Sequence, residues 1–207
     1  MSASCSGDPA IRLVEDGDQV TLYIDSGQAM QAWERELMWE SADILCRYGS
    51  SFLEVGLGLG LSALRIAGHP GTRRHVVVEK YGRVIELFRE RHPVTPPGLE
   101  IVEADFFDHV RTLAPDSLDG VFFDPYLPLD VANDPAVWNE VMPLTVRALR
   151  PGGVFIPCFS SRPILRWQFV PFFDRVIVER RSFRAYPSTE YMASTEGDAF
   201  IQCYVKT

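Results

Sequence analysis

The chain has 207 residues, 46% hydrophobic and 23% charged, enough for one domain with a substantial core. A net charge of −8, with Lys and Arg dispersed, repels phosphate backbones and argues against duplex DNA or long RNA as a partner. Cys5, Cys46, Cys158 and Cys203 form no Cys-x-x-Cys pair, and His69, His75, His92 and His109 are scattered, so no metal site is expected.

The N-terminal stretch, residues 1–28, is polar and acidic and reads as an arm without a signal peptide. No run is long enough to cross a bilayer, so the expectation is a cytoplasmic protein with no membrane partner. "AMQAWERELMWESADIL" (29–45) carries a long helical pattern, with Met30, Trp33, Leu37 and Met38 available for one face. Strands and helices then alternate. "SFLEV" (51–55), "HVVVEK" (75–80), "LEIVEAD" (99–105), "LDGVFFDPY" (118–126) and "GVFIPCF" (153–159) read as strands. Helices are expected near 61–67, over 82–92, over 106–114, and over 139–150, the last stopped by Pro151-Gly152-Gly153.

"RVIVERRSF" (175–183) and "DAFIQCYVKT" (198–207) read as a terminal hairpin. The alternation predicts an α/β fold with a doubly wound, mostly parallel sheet and an antiparallel C-terminal edge. It is expected as a single domain over 1–207: the arm (1–28), a helix on the substrate side (29–48) and a cofactor-binding core (49–207).

The first strand ends in "EVGLGLG", Glu54 to Gly60. Gly56, Gly58 and Gly60 weaken either a strand or a helix, so a close approach to bare backbone is expected there. In an open parallel sheet, ligands bind past the carboxyl ends of the strands, beside the following helix N-terminus. Glu79 ends the second strand about 20 residues on, placed to accept hydrogen bonds from ribose hydroxyls; a solvated strand end is the alternative. Asp105 ends the third, where a carboxylate suits either a purine amine or the N-cap of the next helix.

This pattern resembles class I S-adenosylmethionine-dependent methyltransferases, whose first motif is an acidic residue followed by x-G-x-G-x-G. The dehydrogenase fingerprint fits less well, because one residue rather than two separates Gly58 from Gly60. The resemblance implies S-adenosylmethionine as cofactor, with Glu54 at its amino group, Glu79 at the ribose, and Asp105 and Phe106 at the adenine.

A closer resemblance covers residues 29–160. "MQAWERELM", "LEVGLG", "VVVEK", "LDGVFFDPYLP" and "LRPGGVFIPCF" are similar to the corresponding elements of the guanidinoacetate N-methyltransferase family. It implies that Glu34 and Asp124 grip a guanidine group. A guanidinium is charged at neutral pH and lacks a free lone pair, and two carboxylates suit its planar fork and accept a proton. Asp124 is assigned as general base and Glu34 as its orienting partner, with Tyr126 and Arg162 as further substrate contacts.

Pro125 stands where the family has threonine, Leu127-Pro128 replaces a single proline, and the family's N-terminal lid aromatic has no counterpart. "YPSTEYMASTEG" (186–197) is a candidate replacement lid. The expected reaction is N-methylation of a small guanidino compound. Methylation of an amine, phenol or ring carbon of a specialised metabolite stays open as the alternative.

Overall fold

The computed structural model describes residues 9–207; the first eight residues, with Cys5, lie outside them. Seven strands form the main sheet: β4 (Ser51–Val55), β5 (Arg74–Glu79), β6 (Leu99–Glu103), β7 (Leu118–Phe123), β8 (Leu149–Pro157), β9 (Arg175–Arg184) and β10 (Glu196–Val205). Their order is β6-β5-β4-β7-β8-β10-β9. The first five are parallel, while β10 runs antiparallel to β8 and β9. This is the doubly wound α/β sheet with an antiparallel hairpin at its edge that the alternation predicts. Every residue of β7 is buried, as expected for a central strand with both faces covered.

On one face, Phe52, Phe122, Val154 and Ile156 pack with Leu37, Met38 and Leu45 of α1 (Arg35–Cys46) and with Ile66 of α2 (Leu61–Gly68). On the other, Leu53, Val55, Val121, Phe123 and Phe155 pack with Phe106 and Val110 of α4 (Phe106–Thr112) and Trp138 of α6 (Pro135–Ala148). Between them in sequence lie α3 (Gly82–Arg91), which flanks β5, and the short α5 (Leu129–Ala132) after β7. Pro135 opens α6, where its missing N–H costs nothing, and Asp134 caps the same turn by accepting from Ala136 N.

Two expectations near the N-terminus are corrected. The described part of the expected arm forms, with residues up to Gln31, a three-stranded antiparallel meander: β1 (Ile11–Asp16), β2 (Gln19–Ile24) and β3 (Gly27–Gln31). The helix expected from Ala29 starts at Arg35, after a 3-10 turn over Ala32–Glu34. Ala29 and Met30 instead belong to β3, which aligns with β2 through Leu22 and Met30. Helical periodicity across 29–34 is overridden by strand pairing with a segment that reads as irregular on its own.

Candidate functional site

The strand order reverses between β4 and β7. The register pairs Val55 with Phe123, so the chain leaves both strands side by side, at Gly56 and Asp124. The approach is tight: a Cβ on Gly56 would sit 2.5 Å from the Asp124 carbonyl oxygen. Gly56, Gly58 and Gly60 all hold positive φ (87°, 52° and 74°). The bare backbone is thus needed first by the protein itself. Met30 Sδ lies over Gly58 and the Phe88 ring over Gly60, so a side chain at either would collide.

Past this switch point opens a cavity of about 440 Å³, within the usual range for small-ligand sites. Gly56, Gly58, Glu79, Asp105, Phe106 and Asp124 are among its lining residues. Glu79 is buried. Its Oε2 accepts from Leu57 N at 2.8 Å and its Oε1 from Tyr81 N at 2.9 Å. Burial pushes its pKa up, against the pull of these backbone donors. Asp105 both lines the cavity and caps α4, accepting from Phe107 N at 2.9 Å; its other oxygen pairs with Lys80 at 2.9 Å. Phe106 presents a buried ring beside Phe123. Tyr126 also lines the cavity, with its hydroxyl close to Gly27.

Gly60, Glu54 and Arg162 are not among the lining residues, although the Glu54 charge lies close enough to Asp124 to raise it. Glu54 is wholly buried on the α2 side of the sheet and is not among the lining residues. Its Oε1 accepts from Ser62 Oγ, and its Oε2 lies 3.0 Å from His75 Nε2 without the alignment of a hydrogen bond. The expectation that it faces the cofactor's amino group is corrected, because alternation along β4 turns residue 54 away from the cleft that Val55 leads into. Arg162 is exposed in the segment after β8 and lies outside the cavity lining. The cation of that segment that comes near the cleft is Arg166, whose guanidinium donates to Cys158 O at 3.0 Å.

Glu34 is not among the lining residues, yet it lies close enough to Asp124, which is, for the Asp124 charge to act on it. The 3-10 turn buries Glu34, which is 5% exposed, and its Oε1 accepts from Gln31 N at 2.7 Å and from the Tyr191 hydroxyl at 2.6 Å. Burial, reinforced by the nearby Asp124 charge, pushes the Glu34 carboxyl up to about 8. Burial also lifts Asp124, to about 6, against a hydrogen bond from Cys158. Among the described residues no cation offsets Glu34; Asp124 is raised further by the Glu54 charge and lowered by that of Arg166. Among the described residues no three metal-ligating side chains cluster.

Aromatic rings surround Trp33, the neighbour of Glu34: it stacks on Tyr191 with centroids 6.3 Å apart, and meets Phe183 at 5.5 Å and Phe159 at 6.1 Å. Tyr191, Cys158, Arg166 and Gln31 were not singled out from the sequence. A tyrosine in a polar loop and a cysteine closing a strand carry no spacing that would announce them.

The fold and its glycine-floored cleft define a class I S-adenosylmethionine-dependent methyltransferase. Similar solved structures include spermidine synthase from Thermotoga maritima, with a TM-score of 0.74 and 20% identity over 98% of this chain and 71% of that one. Another is the N-methyltransferase NodS from Bradyrhizobium japonicum WM9, with a TM-score of 0.60 and 16% identity over 84% of this chain and 96% of that one. NodS is also known in complex with S-adenosyl-L-homocysteine, at the same TM-score and identity, over 84% of this chain and 88% of that one. Residues 13–166 match the family model described as guanidinoacetate N-methyltransferase. The chain belongs to the guanidinoacetate N-methyltransferase family.

S-adenosylmethionine is the cofactor, and the residues present fit it: a positive-φ glycine floor no side chain would permit, a buried acid at the end of β5, and an aromatic ring at the start of α4.

Proposed function

We propose that this protein N-methylates a small guanidino compound, guanidinoacetate-like or arginine-like, held by Glu34 and Asp124. One observation carries the reading: two buried carboxylates ninety positions apart lie close enough for the Asp124 charge to raise the cost of ionising Glu34, and among the described residues Arg166 is the one cation that favours an ionised Asp124. Burying like charges together is unfavourable by several kcal/mol unless a positive group completes the site. A planar cation with several N–H donors does so, and the aromatic walls of Trp33 and Tyr191 favour its flat face.

The cofactor, when bound, supplies a methyl group on a positively charged sulfur. Gly56, Gly58, Glu79, Asp105 and Phe106 hold it, with Lys80 bridging to Asp105 at the adenine end. Asp124 sits where β7 meets the glycine turn, between cofactor and acceptor. It draws positive charge toward the nitrogens it contacts and takes the proton that the alkylated nitrogen releases. Glu34 fixes the guanidine plane and neutralises the charge that remains. Met30, over Gly58, and the aromatic box keep water from the exchange.

The family supports S-adenosylmethionine-dependent N-methylation, and the choice of acceptor is tested directly. The purified protein, incubated with S-adenosylmethionine and a panel led by guanidinoacetate, arginine and other guanidines, should raise one guanidine's mass by one methyl. Methylation confined to amines or phenols, with guanidines untouched, would overturn the reading. The cytoplasmic setting and the small-molecule partner are part of the same proposal. Among the described residues, no helix is long and apolar enough to cross a membrane.

A further inference from the structure

The loop between β9 and β10, residues 185–195, lies on the edge of the N-terminal meander, fixed by residues spaced three apart. The Gln28 amide donates to Ser188 O and accepts from Glu190 N, each at 2.8 Å, as a backbone peptide would. Thr189 Oγ1 donates to the buried Gln31 Oε1 at 2.5 Å, an oxygen that also accepts from Trp33 Nε1 at 3.0 Å. The Tyr191 hydroxyl then donates to Glu34 Oε1. Tyr191 as a whole is 42% exposed, while its hydroxyl reaches the buried carboxylate.

A guanidinium fork needs both oxygens of the carboxylate it grips. Glu34 Oε1 already accepts from Gln31 N and from Tyr191, which fills its two lone-pair directions. We propose that Tyr191 is the acceptor-exchange residue of this enzyme: its hydroxyl and the guanidine N–H compete for Glu34 Oε1, and the loop carrying it is the door through which the acceptor enters. The inference rests on the guanidine reading above. Trp33 keeps one wall in place during the exchange, because Gln31 anchors its indole N–H from β3.

The test measures binding of methylguanidinium and guanidinoacetate by calorimetry, without cofactor, to wild type and to Tyr191→Phe. Phenylalanine keeps the ring and removes the competing donor. Affinity should rise about two- to tenfold, the worth of one hydrogen bond, while S-adenosylmethionine affinity stays the same. With no ligand present, a glutamyl endopeptidase should cut after Glu190 faster in Y191F than in wild type, as the loop loses an anchor. Guanidine binding to wild type that is unchanged or weakened in Y191F, or equal cleavage rates, would overturn the exchange role and leave the guanidine reading standing. Failure of both probes to bind either protein would overturn both.

Discussion

Replacing Glu34 with glutamine should stabilise the protein in alkaline solution and do little in acid. The carboxyl moves from 4.5 to about 8 on folding, first through burial and then through the Asp124 charge. Full ionisation in the folded state therefore costs roughly 5 kcal/mol relative to the unfolded chain. At 5% exposure, solvent screening removes little of that. Because the folded state holds this proton more tightly, wild-type stability is complete below pH 4.5 and is lost as pH rises through 8. Glutamine never ionises, and its carbonyl oxygen still accepts from Gln31 N and Tyr191.

For a chain of this length roughly 2–4 °C of melting temperature accompanies each kcal/mol. The advantage of E34Q over wild type should thus grow by on the order of 10 °C between pH 5 and pH 8.5. Circular dichroism melts of both proteins at matched ionic strength provide the measurement. An advantage that is the same at both pH values would mean that Glu34 is not held as an uncompensated acid. The argument for a cation-seeking pocket would fall with it.

Three further outcomes follow from the same geometry. Guanidinium binding favours the ionised form of Glu34, so at pH 7 a proton should be released; calorimetry in buffers of different ionisation enthalpy reads it, and proton-neutral binding would contradict the pair. Asp124→Asn should keep cofactor affinity within about threefold while lowering kcat by roughly a hundredfold or more; surviving turnover would remove Asp124 as the base. Gly56→Ala forces a side chain at φ 87° to within 2.5 Å of the Asp124 carbonyl. It should cost ~2–4 kcal/mol and weaken cofactor binding, and an unchanged melting temperature would refute the close-approach account.

Local patterning was enough for the parallel sheet. β4 to β8 are short apolar runs separated by helical periods, and a strand buried on both faces announces itself in composition. The spacing of the glycines and Glu79 likewise follows from backbone demands at the ends of two adjacent strands, β4 and β5. The strands between Ile11 and Gln31 are not legible in sequence, because a meander of mixed polar and apolar residues becomes strand only when β2 supplies partners to both β1 and β3.

Within the site, the tertiary structure decided the facing of each side chain. Residue 54 and residue 55 are neighbours in sequence yet open onto opposite faces of the sheet, which takes Glu54 out of the cleft. Glu34 owes its burial to a loop more than 150 positions later that lays Tyr191 across it. A carboxylate's ionisation depends on what surrounds it in space; beyond Gln31 N, the groups that act on Glu34, Asp124 and Tyr191, are distant along the chain.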